Sequence, residues 1–227
     1  MATFFLRKKF FYPFFTVIFT SIVLTSVSYS ALLLNRTRIS IATNFYFLVT
    51  KKQHIEASAE FIKLQGGAGY LLREKDVDYI VFSVYLNEED AASVCANLMH
   101  FDEDVKLFPV QINALYFNTK TPAQIDLYCN ALNMLKEYMS IIEKCILLLM
   151  EGETQENVKN ILFSTQKHLE FLSHFFNTTY KEFAVACNHT AQLIADCINK
   201  VVFVADLRYI LCSMAGEYIA LCKLFSV

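Results

Sequence analysis

Residues 66–98 carry the clearest structural signals in the sequence: GGAGYLLREKDVDYIVFSVYLNEEDAASVCANL. Two short runs rich in aromatic and aliphatic residues, 70–73 and 79–85, flank a charged turn, and this pattern predicts a β-hairpin. Asn87 follows the second run, with Asp90 three positions later, which is a typical helix start. The stretch therefore predicts two paired strands followed by a helix.

The flanking segments extend this pattern in both directions. Residues 39–49 are rich in Ile, Thr, Phe, Tyr and Val, as expected of a strand, and residues 54–64 place Ile55, Ala59 and Ile62 on one helical face. Residues 105–112 predict a last strand, which Pro109 assigns to a sheet edge because proline lacks the N–H donor. The order strand, helix, strand, strand, helix, strand predicts a βαββαβ (ferredoxin-like) module with both helices on one face of an antiparallel sheet. The other face of the sheet is left open, so either another part of the protein packs on it or a ligand binds there.

Three glycines, Gly66, Gly67 and Gly69, lie between the first helix and the hairpin. Such a cluster can end a helix with residues at positive φ, or it can cradle phosphate. A phosphate-binding loop follows a strand and precedes a helix, which is the opposite order. We therefore interpret the glycines as a helix stop.

The N-terminal part of the chain predicts a membrane anchor. Residues 10–34 form a run of 25 positions without a charged residue, enough to span a hydrocarbon core of about 30 Å. A cleaved signal peptide is the alternative, but the run exceeds the usual apolar region of about 7–15 residues. The basic residues on the two sides do not decide orientation. We expect a short inner tail, with the bulk of the chain on the extracytoplasmic side of the cell membrane.

Beyond residue 120 the sequence is dominated by helix formers. Thr121, Pro122 and Gln124 form a helix-start signature, and apolar residues follow on one face for about eight turns. Further breaks are predicted near Gly152, at residues 177–179 and at residues 199–206. Short connections predict an antiparallel helical bundle. The fold class is thus α+β, with a tail and transmembrane helix at 1–38, the βαββαβ module at 39–115 and the bundle at 116–227.

Charge and reactive residues restrict the classes of function. Outside five basic residues near the N-terminus, 15 basic residues face 22 acidic ones, a net charge of −7 that argues against nucleic acid as a partner. The seven cysteines have no C-x-x-C spacing and suit a helical core in a reducing milieu, either the cytosol or the exterior of an anaerobe. The histidines have no metal-ligand spacing. We predict no enzyme, no metal and no cofactor.

The βαββαβ region resembles a known module. Over residues 40–112 the two half-repeats, each an aromatic strand followed by a helix, resemble the SPOR (sporulation-related) domain of bacterial cell-envelope proteins. The best-matching piece is the strand YIVFSVY at 79–85 followed by NEEDA at 87–91, and the first half is FYFLV at 45–49 with the helix after it. That resemblance covers about a third of the chain. It implies binding of peptidoglycan glycan strands through the open sheet face, by a protein tethered in the inner membrane. Tyr46, Tyr79 and Tyr85 are the candidates for stacking on sugar rings; their alternative role is in the sheet core or an interface.

Two functional hypotheses follow. In the first, the protein is a single-pass envelope protein whose SPOR-like module binds peptidoglycan or an envelope partner, in a process such as sporulation or cell division. In the second, it is a membrane-anchored interaction scaffold whose sheet packs against the helical bundle and binds no glycan. The cover on the open sheet face distinguishes the two hypotheses.

Overall fold

The computed structural model describes residues 36–52, 54–74, 76–100, 102, 104–118 and 120–225. The predicted anchor at residues 10–34 lies outside these ranges. Within them, the structure contains no helix with the length and apolarity needed to cross a bilayer.

The first half of the described chain folds as the predicted βαββαβ module. Its elements are β1 (Arg36–Thr50), α1 (Ile55–Leu64), β2 (Tyr70–Glu74), β3 (Val77–Tyr85), α2 (Glu88–Met99) and β4 (Lys106–Asn118). The four strands form an antiparallel sheet in the order β2-β3-β1-β4. This is the split βαβ order, and it places β4, with Pro109, at an edge as predicted. Since unrelated proteins share this arrangement, the SPOR resemblance itself stays a prediction.

Local side-chain chemistry explains where these elements begin and end. Asn87 caps α2 by accepting a hydrogen bond from the backbone N–H of Glu89 (2.8 Å). At the end of α1, the N–H groups of Gly66 and Gly67 donate to the carbonyls of Lys63 and Ile62, both at 2.9 Å. Gly66 has φ +87°, so the pair forms a Schellman motif that needs a residue without Cβ. The interpretation of the glycines as a helix stop is confirmed.

The described part of the second half of the chain consists of four helices joined by short connections. It comprises α3 (Pro122–Met150), α4 (Gln155–Phe176), α5 (Lys181–Ile198) and α6 (Val204–Lys223). Thr121 and Gln124 form the predicted capping box at the start of α3, and the breaks fall where the sequence predicted them. The hydroxyl of Tyr128, near the start of α3, donates to the carbonyl of Leu221, near the end of α6, so these two helices run antiparallel.

The strands of the module extend beyond their predicted limits, and the module shares its core with the bundle. β1 begins at Arg36, and β4 continues to Asn118, where the two strands pair as a ribbon. Alternate residues of β1 (Phe45, Phe47 and Val49) are fully buried in one large cluster with residues of all four bundle helices. Leu48 points to the other side, into a smaller cluster formed with α1 and α2. The sheet is thus covered on both faces.

Candidate functional site

The sheet face that the sequence left open is filled by the bundle. α6 packs across β2, β3 and β4, and the ring of Tyr218 meets that of Phe45 edge to face, with centroids 5.4 Å apart. Both rings are almost completely buried. A flat sugar-binding platform needs exposed rings, and here the central rings of the face serve as core.

The three candidate tyrosines lie in different surroundings. Tyr46 is buried; its hydroxyl donates to Glu88 Oε2 at 3.2 Å. Tyr85 is half-buried opposite Tyr46 in the β1–β3 register, and burial raises the pKa of its phenol. Tyr79 is half-buried with its ring 5.7 Å from that of Phe108.

These positions separate the three rings. Tyr85 packs against the small cluster on the α1 and α2 side, whereas Tyr79 packs against the large cluster on the bundle side. The structure therefore brings Tyr46 and Tyr85 together but leaves Tyr79 on the opposite face. One glycan strand cannot stack on all three rings at once.

The bundle is joined to the glycine turn by specific contacts. Arg208 in α6 donates from Nη1 to the carbonyl of Gly66 at 2.7 Å. Tyr70 at the start of β2 packs edge to face on Tyr209, with centroids 5.7 Å apart. Gly216 allows α6 to approach closely, because a Cβ there would lie 2.7 Å from the Tyr70 hydroxyl oxygen. These contacts fix the bundle to the edge of the sheet.

A polar cluster links α5 to α6 within the bundle. Glu217 accepts a hydrogen bond from the Thr190 hydroxyl (3.1 Å) through Oε2, and its Oε1 contacts His189 Nδ1. Burial raises the pKa of the Glu217 carboxyl, and the contact with His189 opposes that shift. Sequence reasoning missed this cluster. The available signal was a carboxylate set between Gly216 and Tyr218 in an otherwise apolar half-helix.

The cysteine thiols are poorly suited to nucleophilic chemistry. Six of the seven cysteines are buried, and burial raises the thiol pKa of Cys145 and Cys197 to about 11 and of Cys187 and Cys222 to about 12. A thiol with so high a pKa is a poor nucleophile at neutral pH. In the ranges that the structure describes, no three His, Cys, Asp or Glu side chains are grouped as a metal site requires.

At the junction of module and bundle, a cleft of about 660 Å³ lies between the end of α1, the end of α5 and the start of α6. It is lined mainly by apolar side chains: Leu64, Leu193, Phe203, Val204, Tyr209 and Ile210. Leu64 is 86% exposed and Phe203 is 61% exposed. An ion pair between Lys200 and Asp206 (2.8 Å) lies at the rim. We call this feature the junction cleft.

The junction cleft has the size and lining of a binding site. Sites for small ligands are concave, mostly apolar and about 300–1,000 Å³ in volume, and amphipathic helices bind in apolar grooves. Two large hydrophobic side chains exposed at its rim are a further sign of a binding surface. Comparison with protein-family models, curated proteins and solved structures finds no match.

Proposed function

We propose that the chain is a single-pass membrane-anchored interaction scaffold that binds a partner protein and does not bind glycan. The observation that carries this proposal is the cover on the sheet: the bundle occupies the face through which the SPOR resemblance implies glycan binding. Removing that cover would expose a large apolar area to water, at about 25 cal/mol for each Å². The covered face therefore favours the scaffold over the peptidoglycan-binding hypothesis.

The junction cleft is the surface on which the partner binds. Its floor is apolar, and helix ends border it, a shape that suits the apolar face of an amphipathic helix. Such a ligand places side chains from successive turns on one side, where Leu64 and Phe203 would enclose them. The partner is therefore a protein with an exposed amphipathic helix, located at the extracytoplasmic surface of the same membrane.

Sacculi stripped of their peptides separate the scaffold from the glycan-binding hypothesis. The full chain in detergent is incubated with such sacculi and sedimented. We expect the protein to remain in the supernatant, because neither sheet face is open. Sedimentation with the sacculi that is competed by soluble glycan strands would overturn the proposal in favour of peptidoglycan binding.

Site-specific photo-crosslinking in cells tests the cleft. A photoreactive amino acid at position 64 should give a discrete adduct, and one at Leu71 should not, since Leu71 is exposed on β2 but does not line the cleft. The adduct should disappear when Phe203→Asp is added. Equal labelling from both positions would contradict a specific site. An adduct of twice the 26.1 kDa chain mass would assign the cleft to a second copy and overturn the heterologous partner.

A further inference from the structure

Two phenylalanines near the end of α4 are more than half exposed. Phe171 and Phe175 lie one turn apart on the same helical face, 66% and 55% exposed, with their rings stacked at 6.3 Å between centroids. Phe163, two turns earlier, is also exposed. Adjacent exposed rings form a small contiguous apolar surface, which is a sign of a contact site. We call Phe171 and Phe175 the aromatic patch.

The aromatic patch lies at the end of the molecule where the described chain begins. Arg36, the first described residue, pairs with Asn118, and the next pair is Thr37 with Phe117. The ring of Phe117 is 5.8 Å from that of Tyr128 at the start of α3. The start of β1 is therefore adjacent to the start of the bundle.

A chain of ring contacts continues from there to the patch. Tyr128 meets Tyr180 at 4.9 Å, Tyr180 meets Phe176 at 6.3 Å, and Phe176 meets Phe175 at 4.9 Å between centroids. The hydroxyl of Tyr180 also donates to the carbonyl of Gln124 at 2.7 Å. Because Tyr180 joins the end of α4 to the first turn of α3, which begins four residues after Asn118, the patch lies at the same end of the bundle as the Arg36–Asn118 pair.

The charges around the patch permit a contact with lipid headgroups. Lys167, one turn before Phe171 on α4, and Lys181, at the start of α5, are exposed, and Lys120 lies 5.7 Å from the centroid of the Tyr180 ring. Glu170 is bonded to Lys167 (2.8 Å), while Glu182 is exposed. Because the basic and acidic groups around the patch nearly balance, the apolar rings supply the larger part of its attraction to the bilayer.

The size of the patch argues against a second copy as its occupant. One phenylalanine buries at most about 150–250 Å², and these two are already partly covered. A stable protein interface needs about 800 Å² on each partner. A bilayer surface needs no matching shape, and a membrane anchor in the residues that precede β1 would hold the patch at a high effective concentration.

We propose that the aromatic patch inserts into the interface of the bilayer that holds the anchor. The bundle then lies against the membrane with the end of α4 facing the bilayer. This inference rests on the membrane anchoring in the proposed function. Interfacial helices place their apolar residues about 5–10 Å into the boundary between headgroups and acyl chains. The junction cleft would then be held in a fixed orientation relative to the membrane.

Tryptophan scanning tests the inference directly, because the chain contains no tryptophan. The full chain is reconstituted into vesicles of phosphatidylcholine and phosphatidylglycerol with brominated acyl chains, which quench tryptophan fluorescence on contact. Phe171→Trp and Phe175→Trp are compared with Phe61→Trp, a matched control that is 59% exposed on α1, across the sheet from the bundle.

We expect blue-shifted emission and loss of fluorescence for tryptophan at 171 and 175, with neither effect at 61. Loss should be greater with bromine near the headgroup end of the acyl chain than near its methyl end. Equal fluorescence at all three positions in brominated and plain vesicles would overturn the inference, and so would a blue shift without quenching, which indicates a protein contact. Extraction of the chain from vesicles by alkaline carbonate would instead refute the anchor, and with it the proposed function.

Discussion

The two faces of the β-sheet are covered to different depths. On one face, Phe45 and Phe47 lie in a core shared with all four bundle helices. On the other, Leu48 and Ile80 belong to a small cluster under α1 and α2, and a second cleft of about 660 Å³ opens between those helices. Neighbouring residues of one strand thus enter two different environments. The difference indicates that packing on the bundle face supplies most of the folding stability. The helices α1 and α2 bury fewer side chains and leave more of their surface exposed.

The largest expected effect compares the two faces directly. Phe45→Ala should lower the free energy of unfolding by about 3–5 kcal/mol, since the ring is fully buried and its neighbours cannot fill the space. Leu48→Ala should cost about 2–3 kcal/mol, because the small cluster can relax into the cleft beside it. Chemical denaturation in detergent measures both. An equal or larger loss for Leu48→Ala would show that the two faces contribute alike.

The next effect concerns the turn that closes α1 onto the sheet. Gly69 has φ +59°, and a Cβ there would lie 2.5 Å from the carbonyl oxygen of Ala59. Gly69→Ala should therefore cost about 2–4 kcal/mol, from the unfavourable φ together with the steric overlap. Gly152 is the matched control, because it has φ +86° but open space around it. Gly152→Ala should cost only about 1–2 kcal/mol. Similar losses for both would mean that α1 can shift to accommodate the new methyl group.

A smaller, pH-dependent effect is expected inside the bundle. Burial raises the folded-state pKa of Glu217 above its ordinary 4.5, so the folded protein binds this proton more tightly than the unfolded chain does. The contribution of Glu217 to stability is thus fully present below pH 4.5 and is lost as the pH rises through the raised pKa. Glu217→Gln should remove this loss. The stability of the variant relative to the wild type should therefore increase between acidic and neutral pH. A constant difference in denaturation midpoint across that range would show that the contact with His189 cancels the cost of burial.

The smallest effect concerns the exposed end of the module. Lys52 pairs with Asp102 at 2.8 Å and Asp104 at 3.0 Å, and both side-chain hydrogen bonds raise the pKa of the ammonium group, which burial opposes. Lys52→Met should cost only about 0.5 kcal/mol, because the pairs are partly exposed and screened by water. The loss should shrink further in high salt. A loss that is large and independent of salt would show that these pairs contribute to the core of the module.

Local signals in the sequence predicted most of the elements. The Asn87 cap, the Thr121 capping box and the glycine stop after α1 act within a few residues, so the sequence alone identified them. The extension of β1 and β4 into a ribbon was missed, because pairing between residues about 80 positions apart leaves no local pattern. For the same reason the sequence identified the three candidate tyrosines without showing that Tyr79 lies on the opposite face from Tyr85.

The sequence by itself determined the order of the elements, the split βαβ module and the existence of a helical half, because periodicity and capping are properties of short segments. Only the tertiary structure decided whether the second face of the sheet binds a ligand or packs against the helical bundle. The apolar stripes of β1 and β3 could have bound a ligand or a cover, and only the packing of α6 against Phe45, with Gly216 allowing its close approach, selected the cover. The junction cleft exists for the same physical reason: it forms where two separately predictable bodies meet.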